Sequence, residues 1–229
     1  MKLPNNLQEA VFVTRPNRFS AVFDLNGRRV TAHVANSGRM RELMIPGTRM
    51  FLAQVSSETR KTAYDLTLVQ IDGVLVSVDA RLPLPLVHEA ITEGRMPQLQ
   101  GYKHVKREAV YRDSRFDLLL SGPKVQCYVE TKSITLVEEG VGLFPDAPTE
   151  RGRKHVEGLA QAIREGHRGA VVFVVQRDDA TSFAPNDKAD PKFGNALRKA
   201  ISEGVEAYAY RCSVSKRQIS IQSQIPIRL

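Results

Sequence analysis

Residues 114–134 read SRFDLLLSGPKVQCYVETKSI, and the fold assignment rests on them. They predict two adjacent strands joined by a Ser-Gly-Pro turn. Side chains alternate between the two faces of a strand, so Glu130 and Lys132 point the same way on the second strand. On the first strand Asp117 faces away from the core, while its apolar neighbours enter it: Phe116, Leu118 and Leu120. If the hairpin pairs in the simplest register, Asp117, Glu130 and Lys132 converge on one small polar spot.

Two carboxylates beside a lysine suit a magnesium ion and a phosphate, because Mg²⁺ prefers oxygen ligands and is often held by one or two carboxylates. Glu130 follows Asp117 by 13 positions, and this D…ExK order resembles that of the PD-(D/E)xK nuclease-like superfamily, with Phe116 in place of its proline. The resemblance implies that Asp117, Glu130 and Lys132 are catalytic. It also implies Mg²⁺ or Mn²⁺ as cofactor, held by Asp117, Glu130 and the Thr131 carbonyl. The alternative for Lys132 is a surface ion pair with a carboxylate, which contributes only about 0–1 kcal/mol.

The composition, 42% hydrophobic and 25% charged, is that of an ordinary soluble globular protein. The sequence shows no secretory h-region and no apolar run long enough to span a bilayer, so we expect no membrane association. The two cysteines, Cys127 and Cys212, are too few for a zinc site made of cysteines alone. Their number indicates a reducing, cytoplasmic location.

The charge is strongly basic, with a formal net charge of +8 at pH 7 and a sequence pI near 9.7. Residues 1–82 hold 11 Lys and Arg against 7 Asp and Glu, and the remainder holds 22 against 18, so each part has an excess of +4. A basic surface fits a polyanionic partner such as nucleic acid. The alternative is a basic soluble protein without such a partner.

The N-terminal third predicts a succession of short strands without a clear amphipathic helix. Its candidate strands, with a tight hairpin turn at Asn26-Gly27, are Ala10–Thr14, Phe19–Leu25, Arg29–Val34, Arg49–Val55, Thr62–Ile71 and Val74–Val78. This pattern predicts a small β-barrel such as an OB-fold, a fold that often binds single strands along a basic groove. Four arginines are candidates for following the nucleic-acid backbone: Arg15, Arg18, Arg39 and Arg41. We assign the aromatic residues to the core rather than to base stacking: Phe12, Phe19, Phe23, Phe51 and Tyr64.

A boundary is predicted at residues 81–86, RLPLPL, because two prolines interrupt regular structure and stiffen a linker. The domains are then 1–82 and 83–229. A short helix follows at Val87–Glu93 and carries Glu89. Several nucleases of the superfamily place a helical glutamate at this point, so the resemblance implies Glu89 as an extra metal ligand. The alternative is a solvated glutamate.

The remaining elements alternate in a recognisable order. The predicted strands are Tyr102–Tyr111, Arg115–Leu120, Val125–Leu136, Ala170–Gln176, Val205–Arg211 and Gln218–Gln222. Helices begin at Thr149, a suitable N-cap, and at Asp190-Pro191, an N-cap followed by proline at the first helical position. The fold class is therefore α+β/α/β, with an N-terminal small OB-like β-barrel followed by a restriction-endonuclease-like αβββαβ domain.

The helix predicted to begin near Thr149 also carries basic residues close to its start. These are Arg151, Arg153, Lys154 and His155. A helix N-terminus with basic side chains favours anions, so this set is a candidate grip on a phosphate beside the metal site. The alternative is a solvated helix face.

Several segments together resemble the sugar fermentation stimulation protein A family of prokaryotes. They are AHVANSGRM followed by L…PG, SRFDLLL, VETKSITLVEEGVGLFPDAPTERGRKHVEGL, VVFVVQRDDATSFAPN and ADPKFGNALRKAISEGVEAYAYR. The family usually reads nearer to PNTG-x-M in the first segment, so Ala35 and Ser37 depart from it, while Asn36, Gly38 and Met40 match. The resemblance implies an OB-like domain, a nuclease-like domain and DNA binding.

The sequence thus predicts a cytoplasmic DNA-binding protein with a D…ExK phosphodiesterase site that uses Mg²⁺ or Mn²⁺. The rival hypothesis is a DNA-binding regulator of sugar-utilisation genes that does not cleave. A sugar-metabolising enzyme is a third hypothesis, but the chain has no Gly-rich phosphate loop and no G-x-S-x-G elbow to support it. The sequence leaves the strandedness of the DNA open. It also leaves open a homodimer, which nucleases of this superfamily that cut both strands often form.

Overall fold

The N-terminal part of the computed structural model, which describes residues 1–56, 60–123 and 125–229, is a β-barrel with one added strand. Its strands are β1 (Leu7–Asn17), β2 (Ser20–Leu25), β3 (Arg28–His33), β4 (Arg49–Gln54), β5 (Tyr64–Ile71) and β6 (Val74–Ser77). All six predicted strands are present. Asn26 and Gly27 both adopt positive φ in the β2–β3 turn, which explains why this dipeptide marks a tight hairpin.

The barrel closes because β3 pairs with β5 as well as with β2. The neighbours run β3-β2-β1-β4-β5, and a short parallel pairing of Ala32 with Tyr64 joins the two ends. Closure removes the unpaired edges that an open five-stranded sheet would expose. The barrel has its own apolar core, which includes Phe12, Phe23 and Met50. The OB-like prediction is confirmed.

Helix α1 (Pro83–Thr92) begins four residues earlier than predicted. The prolines at residues 83 and 85 do not form a linker, and that expectation is wrong. Proline is well tolerated in the first turn of a helix, where its missing N–H has no intrahelical partner to lose. Leu86, Val87 and Ala90 of α1 are buried, so the helix packs directly where the barrel ends.

The second sheet has six strands in the order β15-β14-β12-β9-β8-β7. Its strands are β7 (His104–Tyr111), β8 (Ser114–Ser121), β9 (Cys127–Ile134), β12 (Arg168–Val175), β14 (Glu206–Val214) and β15 (Ile219–Ile225). The pairs β9–β12 and β12–β14 are parallel, and the outer pairs are antiparallel. A separate three-stranded sheet joins β10 (Val137–Glu138), β11 (Val141–Phe144) and β13 (Ser182–Pro185).

Helices cover both faces of the large sheet. α1 lies on one face, and α2 (Glu150–Arg164) and α3 (Pro191–Ser202) lie on the other. Both helix starts are confirmed: the side chain of Thr149 accepts a hydrogen bond from Gly152 N, and that of Asp190 from Phe193 N. The restriction-endonuclease-like order αβββαβ is therefore the observed one.

One expectation about the 114–134 hairpin is wrong. Leu118 and Leu120 pack on the α1 face of the sheet, but Phe116 belongs to the core on the α2 face. The ladder between β8 and β9 runs only from Leu120 to Leu118, and alternation is not kept beyond its last pair. Asp117 lies one residue past that pair, where β8 is no longer paired with β9 but remains paired with β7.

The barrel and the second domain share a polar junction and an apolar one. Gln176 follows β12 and is fully buried; its backbone carbonyl accepts from Ser77 N (2.9 Å). Its side-chain amide donates to the Asp79 carbonyl (3.2 Å) and to Ser133 Oγ (2.8 Å). Phe51 of β4 shares a core cluster with the α1 face of the sheet. The two domains are therefore packed together rather than loosely tethered.

Candidate functional site

A cleft of about 1010 Å³ lies where the barrel meets the second domain. Its base contains Asp117, Glu130 and Lys132, the three residues predicted to be catalytic. Loops of the barrel contribute one wall, and the 143–149 segment with the start of α2 contributes another. Seven Lys and Arg residues line it: Arg15, Arg18, Arg39, Arg41, Arg81, Lys132 and Arg151. They face only three carboxylates, those of Asp117, Glu130 and Asp146.

Asp117 is anchored to the neighbouring strand by its carboxylate. Oδ2 accepts from Thr131 N (2.7 Å) and from Thr131 Oγ1 (2.5 Å). The carboxylate thus takes the place of a backbone acceptor at the point where the β8–β9 ladder has ended. Thr131 lies in the cleft beside it.

Glu130 is buried and has two partners on one of its oxygens. Oε1 accepts from Lys132 Nζ (2.6 Å) and lies against His155 Nδ1. Arg151 Nε donates to the other ring nitrogen of His155 (3.4 Å), which leaves the imidazole proton on Nδ1 facing Glu130. Lys132 and His155 are themselves nearly buried, with side chains 10% and 8% exposed. The ion pair is therefore not a solvated surface pair.

The two carboxylates respond to this environment in opposite directions. Burial, together with the nearby charge of Glu130, raises the pKa of Asp117. Burial alone would also raise the pKa of Glu130, but Lys132 and His155 outweigh it and lower that pKa. Glu130 is thus held ionised, while the charged form of Asp117 is disfavoured by burial and by its neighbour.

The donor atoms fit a divalent cation with oxygen ligands. Glu130 Oε2 is buried without a hydrogen-bond partner among the described residues, and such an atom needs a partner of opposite charge. Across residues 1–56, 60–123 and 125–229, no set of three or more His, Cys, Asp or Glu side chains could hold a metal ion by itself. Two carboxylates and a main-chain carbonyl remain a suitable set for Mg²⁺, which usually keeps several waters.

Glu89 does not belong to this set. Its carboxylate pairs with the Met1 ammonium group (3.1 Å) and with Arg95 (3.5 Å), outside the cleft. The predicted role as a metal ligand is wrong because the Glu89 side chain points to the N-terminal ammonium group, which also donates to the Ile219 carbonyl. Its place in the sequence matches that of a ligand in the superfamily, but that place does not determine where the side chain points.

Arg15 lines the cleft, and both of its terminal NH₂ groups are engaged by the barrel. They donate four hydrogen bonds of 2.7–2.9 Å to backbone carbonyls, those of Arg18, Asn36, Gly38 and Arg39. The remaining donor, Nε, is buried without a partner among the described residues. Arg15 therefore holds the 36–39 loop in place, and its direct contact with nucleic acid stays a prediction.

The other three barrel arginines are differently placed. Arg18, Arg39 and Arg41 are exposed and line the cleft. Their guanidinium groups form no ion pair or hydrogen bond with any residue in the described part of the chain. Three uncompensated cations thus face the carboxylates across the cleft, as a bound polyanion requires.

The four basic residues at the start of α2 separate into different environments. Arg151 reaches the cleft, and His155 is buried against Glu130. Lys154 is exposed outside the cleft, and Arg153 is half-buried with a buried Nε that has no partner among the described residues. Only Arg151 is placed to meet a phosphate in the cleft. The other three residues of the expected phosphate grip, Arg153, Lys154 and His155, do not line the cleft, and that expectation is corrected accordingly.

Asp146 is a cleft residue that sequence reasoning missed. Its Oδ2 accepts from Met40 N (3.0 Å), which joins the 143–149 segment to the barrel loop 106 residues earlier. A Cβ added to Gly38 would come within 2.6 Å of the same oxygen, so only glycine allows this approach. Both partners lie in segments on which the family resemblance rests, AHVANSGRM and FPDAPTERGRKH. The sequence of neither segment, however, shows that it contacts the other.

Comparison with known proteins covers nearly the whole chain. Residues 13–78 match the family model of the SfsA N-terminal OB domain, and residues 81–218 match that of the sugar fermentation stimulation protein RE domain. A sugar fermentation stimulation protein homolog of Desulforamulus reducens is 46% identical over 223 residues, covering 97% of this chain and 93% of its own. That of Citrifermentans bemidjiense is 44% identical over 231 residues, covering 100% of both.

A solved structure agrees in fold as well. The structure of Pyrococcus furiosus SfsA in complex with Ca²⁺ superposes with a TM-score of 0.91 at 30% identity and covers 100% of this chain and 98% of that one. Among the helices of the described residues, none is long and apolar enough to cross a membrane.

Proposed function

The chain belongs to the sugar fermentation stimulation protein family, and from that premise we propose that it is a DNA-binding protein that cleaves phosphodiester bonds with Mg²⁺ or Mn²⁺. One observation carries the proposal. A buried Glu130 with one unpartnered oxygen lies beside Asp117 and Lys132 at the base of a cleft lined by uncompensated arginines. A purely structural ion pair gives no reason for that arrangement to face a basic cleft.

Asp117, Glu130 and the Thr131 carbonyl would hold the cation. When bound, such a cation polarises a phosphate oxygen and lowers the pKa of water. The relative from Pyrococcus furiosus, whose structure is described as a complex with Ca²⁺, supports this part, since Ca²⁺ shares the preference of Mg²⁺ for oxygen ligands.

The other residues of the site act on the phosphate. Lys132 Nζ, fixed by Glu130 Oε1 at 2.6 Å, presents an ammonium group that stabilises negative charge developing on the scissile phosphate. His155 fixes Glu130 from the far side and keeps it ionised. Arg151 faces the cleft and neutralises a neighbouring phosphate. Arg18, Arg39 and Arg41 hold the strand from the barrel side.

A cytoplasmic location is part of the proposal. Cys127 and Cys212 are both buried and unpaired, as expected in a reducing compartment.

The test is a cleavage assay on labelled single-stranded, duplex and branched DNA with Mg²⁺, Mn²⁺ or EDTA, using the parent and Lys132→Ala. We expect metal-dependent products from the parent and a rate about 10²–10³-fold lower for the variant, the usual cost of removing one charge-stabilising group. Binding without cleavage under all these conditions would instead favour the non-catalytic regulator.

A further inference from the structure

The barrel loop that faces the metal site, residues 36–41, is fixed at both its ends and its middle. Asn36 Nδ2 donates to the Val78 carbonyl (3.0 Å), and Ala80 N to the Ala35 carbonyl (2.9 Å). Arg15 binds three carbonyls between positions 36 and 39. Asp146 Oδ2 accepts from Met40 N across the cleft. A loop tied at this many points has little freedom to swing away from the site.

The size of the cleft therefore limits what can reach the carboxylates. Sites that enclose one drug-sized ligand have volumes of roughly 300–1,000 Å³, and this cleft is about 1010 Å³. That volume accommodates a few nucleotides of one strand.

The turn that carries Arg18 also carries an exposed aromatic ring, although that ring is not itself part of the cleft lining. Phe19 follows Arg18 and Asn17, which line the cleft, and its side chain is 56% exposed. Phe12, Phe23 and Phe51 of the same domain are buried, as the sequence predicted. Phe19 departs from that prediction because it lies in the turn between β1 and β2, outside the barrel interior. An exposed ring beside unpaired cations is the arrangement that binds unstacked bases.

We propose that the substrate enters as a single strand. It is held between the metal site and the 36–41 loop, which is bonded to Asp146, and one of its bases stacks on Phe19. The inference rests on the proposed function and adds the substrate class. The latch is the bond from Met40 N to Asp146, which keeps Arg39 and Arg41 facing Asp117 and Glu130. Asp146 is here a positioning residue.

The first experiment measures binding in EDTA, so its result does not depend on cleavage. Fluorescence anisotropy compares a labelled single-stranded oligonucleotide with its duplex at physiological salt. We expect the parent to prefer the single strand by about tenfold, equivalent to one stacked base. Equal or tighter binding of the duplex overturns the proposal even if the protein is a nuclease. A single-strand preference without any cleavage upholds it and overturns the catalytic proposal instead.

A matched pair of variants tests the latch. Asp146→Asn removes the charge but keeps an oxygen that accepts from Met40 N, whereas Asp146→Ala removes both. We expect Asp146→Asn to keep the strand preference and Asp146→Ala to lose most of it. Equal preferences in the two variants would overturn the role of the latch.

The stacking of a base on Phe19 is tested separately, with a variant that leaves Asp146 unchanged. The chain contains no tryptophan, so Phe19→Trp, at an exposed position, introduces a single fluorophore. Its emission is expected to be quenched on saturation with the single strand and to change little with the duplex. Absence of quenching by a strand that binds, as judged by anisotropy, overturns the stacking role.

Discussion

Asp117 and Glu130 form a pair in which one carboxylate is stabilised in its charged form and the other is not. Lys132 and His155 hold the pKa of Glu130 below its ordinary value despite burial, while burial and Glu130 raise that of Asp117. A folded-state pKa above the unfolded value means that stability is lost as the pH rises through the folded pKa. The raised pKa of Asp117 therefore makes this residue destabilising at neutral pH, as functional groups often are.

Replacing this charge should stabilise the fold. Asp117→Asn retains an oxygen that can accept from Thr131 N and Oγ1, but removes the repulsion with Glu130. We expect the free energy of unfolding at pH 7 to rise by about 0.5–2 kcal/mol, or roughly 2–4 °C in Tm per kcal/mol.

Thermal unfolding across pH measures this effect. The gain should vanish below the ordinary Asp pKa of about 3.9, where Asp117 is protonated in both states of the parent. Added Mg²⁺ should raise the Tm of the parent and not that of Asp117→Asn. A variant less stable than the parent at pH 7 would contradict the account of the pair. Asp113→Asn, at the exposed tip of the β7–β8 hairpin, is the control and should change neither property.

His155 stabilises the other member of the pair. His155→Leu removes the donor at Glu130 Oε1 and leaves a buried carboxylate with fewer partners. We expect a loss of roughly 1–3 kcal/mol at pH 7, measured by urea denaturation, and partial rescue by His155→Asn, which restores an N–H donor.

The pH dependence of that loss has a definite sign. A lowered folded pKa contributes stability above the ordinary Glu pKa of about 4.3, and this is lost as the pH falls through the folded value. The difference between His155→Leu and the parent should therefore shrink in acid. His104→Leu, at an exposed position, serves as the control. A difference that persists unchanged at low pH would indicate a packing defect instead.

At the scale of single residues, the sequence predicted which types of side chain form the site better than it predicted the direction in which each side chain points. Period-two alternation placed Glu130 and Lys132 on one face, as observed, but failed for Phe116, where the ladder with β9 has ended. The sequence also did not reveal that Glu89 pairs with Met1 or that Arg15 binds four backbone carbonyls, because these partners are set by tertiary structure. No local pattern contains that information.

Among the elements, strand β12 joins β9, which carries Glu130 and Lys132, to the barrel. It lies parallel to β9, and Gln176 at its end makes hydrogen bonds to Ser77, Asp79 and Ser133. The residue is fully buried, so each of these bonds replaces a lost contact with water. These hydrogen bonds hold the barrel residues that line the cleft in a fixed position relative to Asp117, Glu130 and Lys132.

Gln176→Ala should weaken this junction. Buried backbone and hydroxyl groups of the barrel would lose their partners, at a cost of roughly 1–3 kcal/mol. Urea denaturation should show a lower midpoint, and nucleic-acid affinity should fall because the barrel arginines lose their fixed position. Gln222→Ala, on exposed β15, is the matched control. Unchanged affinity in a destabilised Gln176→Ala would show that the junction does not position the cleft.

The order of helices and strands could be predicted from the sequence because each element has a local sequence pattern of its own. The apolar run at 170–176, the N-caps Thr149 and Asp190, and Asn26-Gly27 all mark what is observed. The prolines at 83 and 85 were read as breakers, although the first turn of a helix accepts them. Pattern alone does not distinguish a proline that starts a helix from one that ends it.

At the scale of the whole molecule, the junction of the two domains is basic, because seven Lys and Arg side chains line the cleft against three carboxylates. Arg39 and Arg41 have no compensating partner in the described residues and line the same cleft as Asp117 and Glu130. A charge of this kind displaces counterions from a bound strand, which makes binding sensitive to salt.

The double variant Arg39→Ala with Arg41→Ala should weaken binding to DNA and flatten its salt dependence. Each lost phosphate contact reduces the slope of log K against log salt by about 0.7 for a single strand. Arg28→Ala removes one cation from the exposed start of β3, in the same domain but outside the cleft, and should leave the slope nearly unchanged. Equal effects of Arg28→Ala and of each single cleft variant would mean that binding follows net charge rather than the cleft.

The cleft itself could not be derived from the sequence. Net charge indicated a polyanionic partner and the D…ExK pattern indicated a metal, but the wall opposite the carboxylates depends on the contact between Met40 and Asp146. That contact joins two segments of different domains. A single sequence contains no signal for such a pairing beyond the presence of both segments.

The most direct measurement is single-turnover cleavage of a single-stranded oligonucleotide by the parent, Asp117→Asn and Asp113→Asn, with Mg²⁺ and with EDTA. We expect cleavage by the parent and by Asp113→Asn with Mg²⁺ and not with EDTA, and a rate at least about 10²-fold lower for Asp117→Asn, which still binds the strand. Cleavage by Asp117→Asn at the rate of the parent, or cleavage in EDTA, would contradict this expectation.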